Sequence, residues 1–195
     1  MKYANDYSGY GNEVLYRMCE ERPCHDNIDT IKSKLWIIGR AYSAAIERKA
    51  GESFSLQRAA EQIKASKIDS HISKLQKINR TSLENVDILL TAHKYFTDVL
   101  KEITDLNKRS LASKYLHFHA PRSVFIYDSI ANRRIREVIV PNKRKFKLKK
   151  LFDDNYEGFV YRCIHYRDEI FENEINALAT PRKIDMKLLG YGYDL

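Results

Sequence analysis

Hydrophobic residues recur at intervals of three and four along most of the chain, which is the spacing that places them on one face of an α-helix. The longest pattern runs from about Ile28 to Lys49, with Asn27 as a suitable N-cap and Gly51 as a suitable stop. A second long pattern runs from about Leu83 to Asp105 and follows the capping residue Ser82. Shorter patterns predict helices over about 55–65, 68–78, 110–119, 156–178 and 182–189.

A break in the helical pattern follows residue 119. Pro121 ends the helix there, and residues 124–127 are predicted to be a short extended run. Asp128 or Ser129 then caps a helix of about ten residues. The 195 residues include seven glycines and four prolines, which is few turn-forming residues for a many-stranded sheet. We therefore predict an all-α fold that forms a single domain over residues 1–195.

The charge of the chain favours a polyanionic partner. There are 34 lysines and arginines against 26 acidic residues, a formal net charge of +8. This surplus attracts phosphate groups and so favours nucleic acid, the alternative being a basic protein without such a partner. Residues 143–150 hold six basic side chains in eight and are predicted to form an exposed loop or a frayed end. Those expected to contact phosphates are Lys143, Arg144, Lys145 and Lys147.

The three cysteines, Cys19, Cys24 and Cys163, form no CxxC pair. An odd number without that spacing argues against a disulfide framework, a zinc ribbon or an iron–sulfur cluster, and suits a reducing cytoplasm. The first eleven residues are polar and aromatic and lack the apolar core of a signal peptide. No apolar run approaches the length of a membrane span. We therefore expect a cytoplasmic protein.

A lysine lies on the apolar face of the helix predicted over residues 110–119. At 100° per residue, Lys114 shares one side of this helix with Leu111, Tyr115 and Phe118. Loss of water around an ammonium group lowers the lysine pKa and frees a neutral amine to act as a nucleophile. The alternative is a lysine whose stem faces the core while its amine reaches water.

An aspartate begins the next helix and offers a partner for that amine. Because the chain turns back after Pro121, Asp128 is expected to approach Lys114. A carboxylate at a helix N-terminus is kept ionised by the helix dipole and by free N–H groups. Beside a neutral amine it can stabilise a developing cation or position a nucleophile. The simpler alternative for Asp128 is ordinary N-capping.

These residues resemble the helix-hairpin-helix DNA glycosylase superfamily, and particularly its 8-oxoguanine-glycosylase-like members. The matching stretch is Leu111-Ala-Ser-Lys114, Tyr115-Leu-His-Phe118 and Phe125-Ile-Tyr-Asp128-Ser129. The resemblance implies a two-lobed helical fold with an interlobe cleft, with lobes at about 27–105 and 106–195. It makes Lys114 the nucleophile that attacks the anomeric carbon of a flipped nucleoside, and Asp128 the group that stabilises the oxocarbenium-like charge. The alternative for Lys114 is that it activates a water molecule, which gives a hydrolase rather than a lyase. DNA is then the partner, and no metal or organic cofactor is required.

The sequence departs from this family before the lysine. The family's hairpin is normally rich in glycine, whereas residues 105–110 contain none, so Lys108 and Arg109 are expected to contact phosphate instead. The spacing of fourteen residues between Lys114 and Asp128 is also a few residues shorter than usual.

Small glycosylase-like proteins also occur in bacterial anti-phage defence operons. This association suggests a modified base, oxidised or of the deazaguanine type, and partners encoded in such an operon. An alternative of another class is a catalytically silent nucleic-acid-binding or defence-scaffold protein that retains the fold. A helical protein–protein adaptor is a third class and predicts no salt-dependent binding of nucleic acid.

Further residues are candidates for contact with a flipped base. Gly39 lies inside the first predicted helix, where a close approach of another backbone or of a ligand would explain it. The alternative is tight helix packing, with Trp36 in the core. Arg40 and Tyr42 are then expected to line a pocket wall by stacking or hydrogen bonding. The remaining candidates for substrate contact are His117, Phe118 and Tyr127.

Two other pairs are assigned simpler roles. His117 and His119 are two residues apart and point to different faces of a helix, with no cysteine or carboxylate companion for a metal site. Arg182 and Asp185 are three apart and are expected to pair on the last helix as a surface or interlobe tie.

Overall fold

The computed structural model describes residues 3–139, 148–149 and 151–191. These residues form helices joined by loops and contain no β-strand, so the predicted all-α fold is confirmed. The helices are α1 (Tyr3–Glu21), α2 (Ile28–Ala41), α3 (Leu56–Ala65), α4 (Ile68–Gln76), α5 (Val86–Thr104), α6 (Arg109–His119), α7 (Ser129–Val138), α8 (Asp154–Tyr166), α9 (Glu172–Ile175) and α10 (Pro181–Leu189). A π-helical segment, Arg167–Phe171, joins α8 to α9.

Helix α1 has no counterpart among the predicted elements. Its sequence is mostly polar, and its inner face is marked by the buried side chains of Leu15 and Cys19. It packs against α2 and α6. Two apolar positions four residues apart are too few to define an amphipathic helix from the pattern alone, which is why α1 was not predicted.

Helix α2 ends about eight residues earlier than its hydrophobic pattern suggests, and Gly51 is not its stop. The helix ends at Ala41, and Ser43 adopts a left-handed conformation with φ of 52°. The chain then folds back over Gly39, where a Cβ atom would lie 3.0 Å from the Cα of Ala45. The predicted close approach of a backbone to Gly39 is therefore confirmed, and this turn carries Tyr42 towards α6.

The other boundaries follow local chemistry. Helix α5 begins at Val86 rather than Leu83, and it ends where Asp105 adopts a left-handed conformation. The single helix predicted over 156–178 is instead α8, the π-helical segment and α9, which ends at a left-handed Asn176. The last helix begins as predicted, because the Thr180 hydroxyl accepts from the Lys183 N–H and proline occupies the first position.

The predicted extended run 124–127 is present as irregular backbone held by buried side chains. His117 Nδ1 donates to the Val124 carbonyl at 2.8 Å, and the Tyr156 hydroxyl donates to the Phe125 carbonyl at 2.8 Å. The Tyr127 N–H donates to Ser113 Oγ at 2.9 Å. These bonds satisfy backbone groups that no neighbouring strand pairs, and they fix the approach to α7.

The core lies where α4, α5 and α6 meet, and α1, α2 and α3 pack against these helices. Leu75, Leu90, Phe96, Leu116 and Phe159 are each at most 1% exposed. No helix within residues 3–139, 148–149 and 151–191 combines the length and apolar character that crossing a bilayer requires.

Candidate active site

The amine of Lys114 and the carboxylate of Asp128 lie 3.5 Å apart, Nζ to Oδ2. Helix α6 carries the lysine, and Asp128 precedes the first residue of α7. Ser113, next to the lysine, binds the backbone of Tyr127, next to the aspartate, and so draws the two ends together. The convergence expected from the turn after Pro121 is present.

Asp128 is both an N-cap and a neighbour of the lysine. Its Oδ1 accepts the Ile130 N–H at 2.8 Å, which leaves Oδ2 to face Lys114. The side chain is 27% exposed, so this face of the site is open to solvent. Asp128 therefore caps α7 and also lies beside Lys114, so the two roles predicted as alternatives occur together.

Lys114 is enclosed, with a side chain that is 6% exposed. Its Nζ donates to the Tyr42 carbonyl at 3.2 Å and to Ser110 Oγ at 3.1 Å. Burial lowers the pKa of Lys114, and the negative charges of Asp128 and Asp185 oppose this shift. The lysine does not reach bulk water along its stem, so its amine acts in a largely dry environment.

A second carboxylate, Asp185 of α10, is part of the same electrostatic environment. It is 3% exposed, and burial raises its pKa to about 6 although Arg182 opposes the shift. Arg182 Nη1 donates to Asp185 Oδ2 at 2.7 Å, so the predicted pair exists, but the expected surface position of Asp185 is wrong. Its Oδ1 is buried without a hydrogen-bond partner among the described residues. The amphipathic pattern of α10 predicted only that Asp185 pairs with Arg182, and it did not indicate that Asp185 lies near Lys114.

Three aromatic side chains from α1, α6 and the end of α2 form a wall beside this cluster. The Phe118 ring centroid lies 4.9 Å from that of Tyr16 and 5.4 Å from that of Tyr42. Burial raises the pKa of Tyr16 to about 12 and raises that of Tyr42 further, and Arg182 and Asp185 act on both hydroxyls. The Tyr42 hydroxyl is buried without a partner among the described residues.

His117 is fully buried, and both of its ring nitrogens are engaged. Because the Val124 carbonyl can only accept, Nδ1 carries the proton, and Nε2 accepts from the Tyr16 hydroxyl at 2.7 Å. Burial lowers the pKa of His117 to about 4, so the ring is neutral near pH 7. Its position supports the backbone before α7, and contact with a substrate would require displacement of Tyr16.

Tyr127 and Arg109 lie towards α8. Arg109 forms a bidentate ion pair with Asp153, with Nε and Nη2 each 2.6 Å from a carboxylate oxygen. The Tyr127 ring lies between this guanidinium, 5.5 Å from its centroid, and Phe159 at 5.2 Å. A phosphate contact by Arg109 would therefore have to share its guanidinium with Asp153.

Two further predicted contacts, Arg40 and Lys108, lie in the last turn of α2 and directly before α6. Arg40 is exposed and lies over Trp36, which is 58% exposed, so the expectation that Trp36 is in the core is wrong. Lys108 donates to the Arg48 carbonyl of the loop after α2. The predicted phosphate contacts that lie outside the described residues are Lys143, Arg144, Lys145 and Lys147.

Within the described part of the chain, no group of three or more His, Cys, Asp and Glu side chains is arranged to hold a metal ion. Comparison with known proteins found no matching family model, no matching curated protein and no matching solved structure.

Proposed function

We propose that the protein is a DNA-glycosylase-like enzyme that cleaves the N-glycosidic bond of a modified base extruded from nucleic acid. The observation that carries the proposal is the buried amine of Lys114 at 3.5 Å from the Asp128 carboxylate. The resemblance of residues 111–129 to helix-hairpin-helix glycosylases supports it. An oxidised or deazaguanine-type base, and a role in cytoplasmic antiviral defence with operon-encoded partners, are part of the same proposal.

The chemistry begins with the neutral amine. Its lone pair forms a bond to C1′ of the extruded nucleoside while the glycosidic C1′–N bond breaks. The departing base keeps the electron pair of the broken glycosidic bond and takes up a proton released by the amine. Burial of Lys114 supports this step because it increases the fraction of neutral amine near pH 7.

Asp128 stabilises the positive charge that develops on the sugar as the base leaves. Its open face admits the sugar, while its hydrogen bond to the Ile130 N–H keeps the carboxylate in place. Opening of the sugar ring then moves a nitrogen lone pair into a C1′–N double bond while the C1′–O4′ bond breaks, and O4′ keeps that bond's electron pair and takes up a proton from water. The resulting protonated Schiff base on Lys114 permits strand cleavage by β-elimination.

Borohydride trapping tests the proposal, because hydride reduces a Schiff base to a stable covalent adduct. Oligonucleotides that each carry one modified base are incubated with the protein and borohydride, and adducts are resolved by denaturing electrophoresis. We expect an adduct with at least one base, lost in Lys114→Ala and in Lys114→Arg, which retains the charge. Lys64→Ala, on an exposed face of α3, is the matched control and should retain the adduct.

A catalytically silent nucleic-acid-binding protein is the second candidate. The observation that favours it is that Nζ of Lys114 has three oxygen neighbours within 3.5 Å, on Tyr42, Ser110 and Asp128. Three acceptors match the three protons of an ammonium ion, as in a structural cation. This candidate predicts no adduct, no base release, and oligonucleotide binding that is unchanged in Lys114→Ala and Asp128→Ala.

A further inference from the structure

Trp36 lies on the outer face of α2 with its ring in solvent. The inner face of this helix is defined by Ile31, Leu35 and Ile38, each 1% exposed, whereas Trp36 is 58% exposed. Large aromatic side chains usually contribute to a core or to an interface. A solvent-exposed tryptophan on a helix whose opposite face is well packed indicates a binding surface.

A guanidinium group accompanies this ring. The Arg40 side chain is 65% exposed, and its Cζ lies 5.9 Å from the centroid of the Trp36 ring. Its Nη2 lies 4.0 Å from Glu47 Oε1, so a phosphate would share this guanidinium with Glu47. The two residues are one helical turn apart, so the helix itself holds them on the same side. An aromatic face beside a cation is the combination that binds an unpaired base by stacking and its phosphate by charge.

Further positive charge continues from Arg40 along the loop after α2. Arg48 and Lys49 are exposed there, and their charges, with that of Glu47, act on the amine of Lys108. Lys108 in turn donates to the Arg48 carbonyl and connects this loop to the start of α6. Cations therefore outnumber acids around this end of α2, which favours a polyanion over an apolar peptide as the occupant.

The same helix reaches the candidate active site. Trp36 precedes Tyr42 by six residues, which is about 9 Å along the axis at 1.5 Å per residue. The Tyr42 carbonyl accepts from the Lys114 amine at 3.2 Å.

We infer that Trp36 and Arg40 form a stacking platform for an unpaired base in single-stranded nucleic acid. The inference rests on the nucleic-acid partner in the proposed function and is independent of cleavage at Lys114.

Trp36 is the only tryptophan in the chain, so its fluorescence reports on this surface alone. The full chain is titrated with unmodified twelve-nucleotide single strands, oligo-dT and oligo-U, and with a duplex of equal length at fixed salt. We expect saturable quenching by at least one single strand and weaker quenching by the duplex. The preferred single strand distinguishes DNA from RNA.

Variants then measure the contribution of the ring by anisotropy of a labelled single strand. Trp36→Ala should weaken binding about 5- to 150-fold, which is the range for one stacked base. Trp36→Phe, which retains an aromatic face, should restore most of that affinity. Tyr191→Ala is the matched control, because Tyr191 is also an exposed aromatic residue, 55% exposed beyond the end of α10. The affinity of this variant for the single strand should be unchanged.

The outcomes separate this inference from the proposed chemistry. Binding without quenching, or with equal affinity in Trp36→Ala, overturns the platform even where the borohydride adduct forms. Quenching with the expected loss in Trp36→Ala supports the platform even where no adduct forms. If none of the three oligonucleotides binds, the platform is overturned.

Discussion

The Ser113 hydroxyl oxygen accepts a hydrogen bond from the Tyr127 N–H at 2.9 Å, and this contact links α6 to the residue before the Asp128 cap. Ser113 is fully buried, and its neighbour in sequence is Lys114. Ser113 directly precedes Lys114, and Tyr127 directly precedes Asp128. The contact therefore sets the separation of the amine and the carboxylate by joining the residues next to them. A small residue without charge thus controls the geometry of both charged groups.

Ser113→Ala should lower the free energy of unfolding by about 1 to 3 kcal/mol, because it leaves a largely buried N–H without its acceptor. The same change should reduce adduct formation by the proposed enzyme, since Asp128 loses its tether. Urea unfolding and the trapping assay provide the two measurements. Ser70→Ala, on an exposed face of α4, should change neither, and an equal loss in both variants would contradict the assigned role.

Gly39→Ala should destabilise the protein although alanine favours a helix interior by about 1 kcal/mol over glycine. The added Cβ would meet the Ala45 Cα at 3.0 Å, and a backbone atom cannot move aside as a flexible side chain does. We expect a net loss of about 1 to 3 kcal/mol in chemical denaturation. Gly9→Ala in α1 meets nothing within 4 Å and should be neutral or stabilising.

Asp185 makes stability depend on pH. Its pKa is raised from 3.8 to about 6 in the folded protein, so the fold favours the protonated carboxyl. Its stabilising contribution is complete below pH 3.8 and is lost as the pH rises through about 6. A shift of about two units corresponds to roughly 3 kcal/mol at 1.36 kcal/mol per unit.

Asp185→Asn removes this titration while it keeps an acceptor for Arg182. The free energy of unfolding of the variant, relative to the natural protein, should therefore rise between pH 4 and 7 by up to about 3 kcal/mol and then level off. Urea titrations at pH 4, 5, 6 and 7 measure it, and the value at pH 4 is the internal reference. A difference that is constant or that falls with pH would contradict the burial of a neutral carboxyl.

The pair between Arg109 and Asp153 is expected to be structural. Asp153 accepts from the Arg109 guanidinium and also caps α8 by accepting the Tyr156 N–H at 2.9 Å, so it has a capping role that Arg109 lacks. Asp153→Ala should therefore cost about 2 to 4 kcal/mol, and Arg109→Ala should cost about 1 kcal/mol less because the cap remains. Thermal and urea unfolding measure both, and the reverse order would contradict the capping role.

Local chemistry in the sequence was sufficient for most helices and for one half of the site. The three-to-four spacing predicted α2 to α6, and the Asp128 cap was visible because capping involves residues within a turn of each other. The turn after Pro121 was enough to predict that Lys114 and Asp128 approach. Each of these inferences depends on residues fewer than about twenty positions apart.

Tertiary packing decided the rest. Asp185 joins the site from α10, 71 residues beyond Lys114, and Trp36 faces solvent because Lys34 and Leu35 turn inward against other helices. A hydrophobic pattern states that a helix has a buried face, but not which other helices cover it. Those contacts are made between distant segments, and their energies depend on shape and dielectric environment, which exist only once the chain has folded.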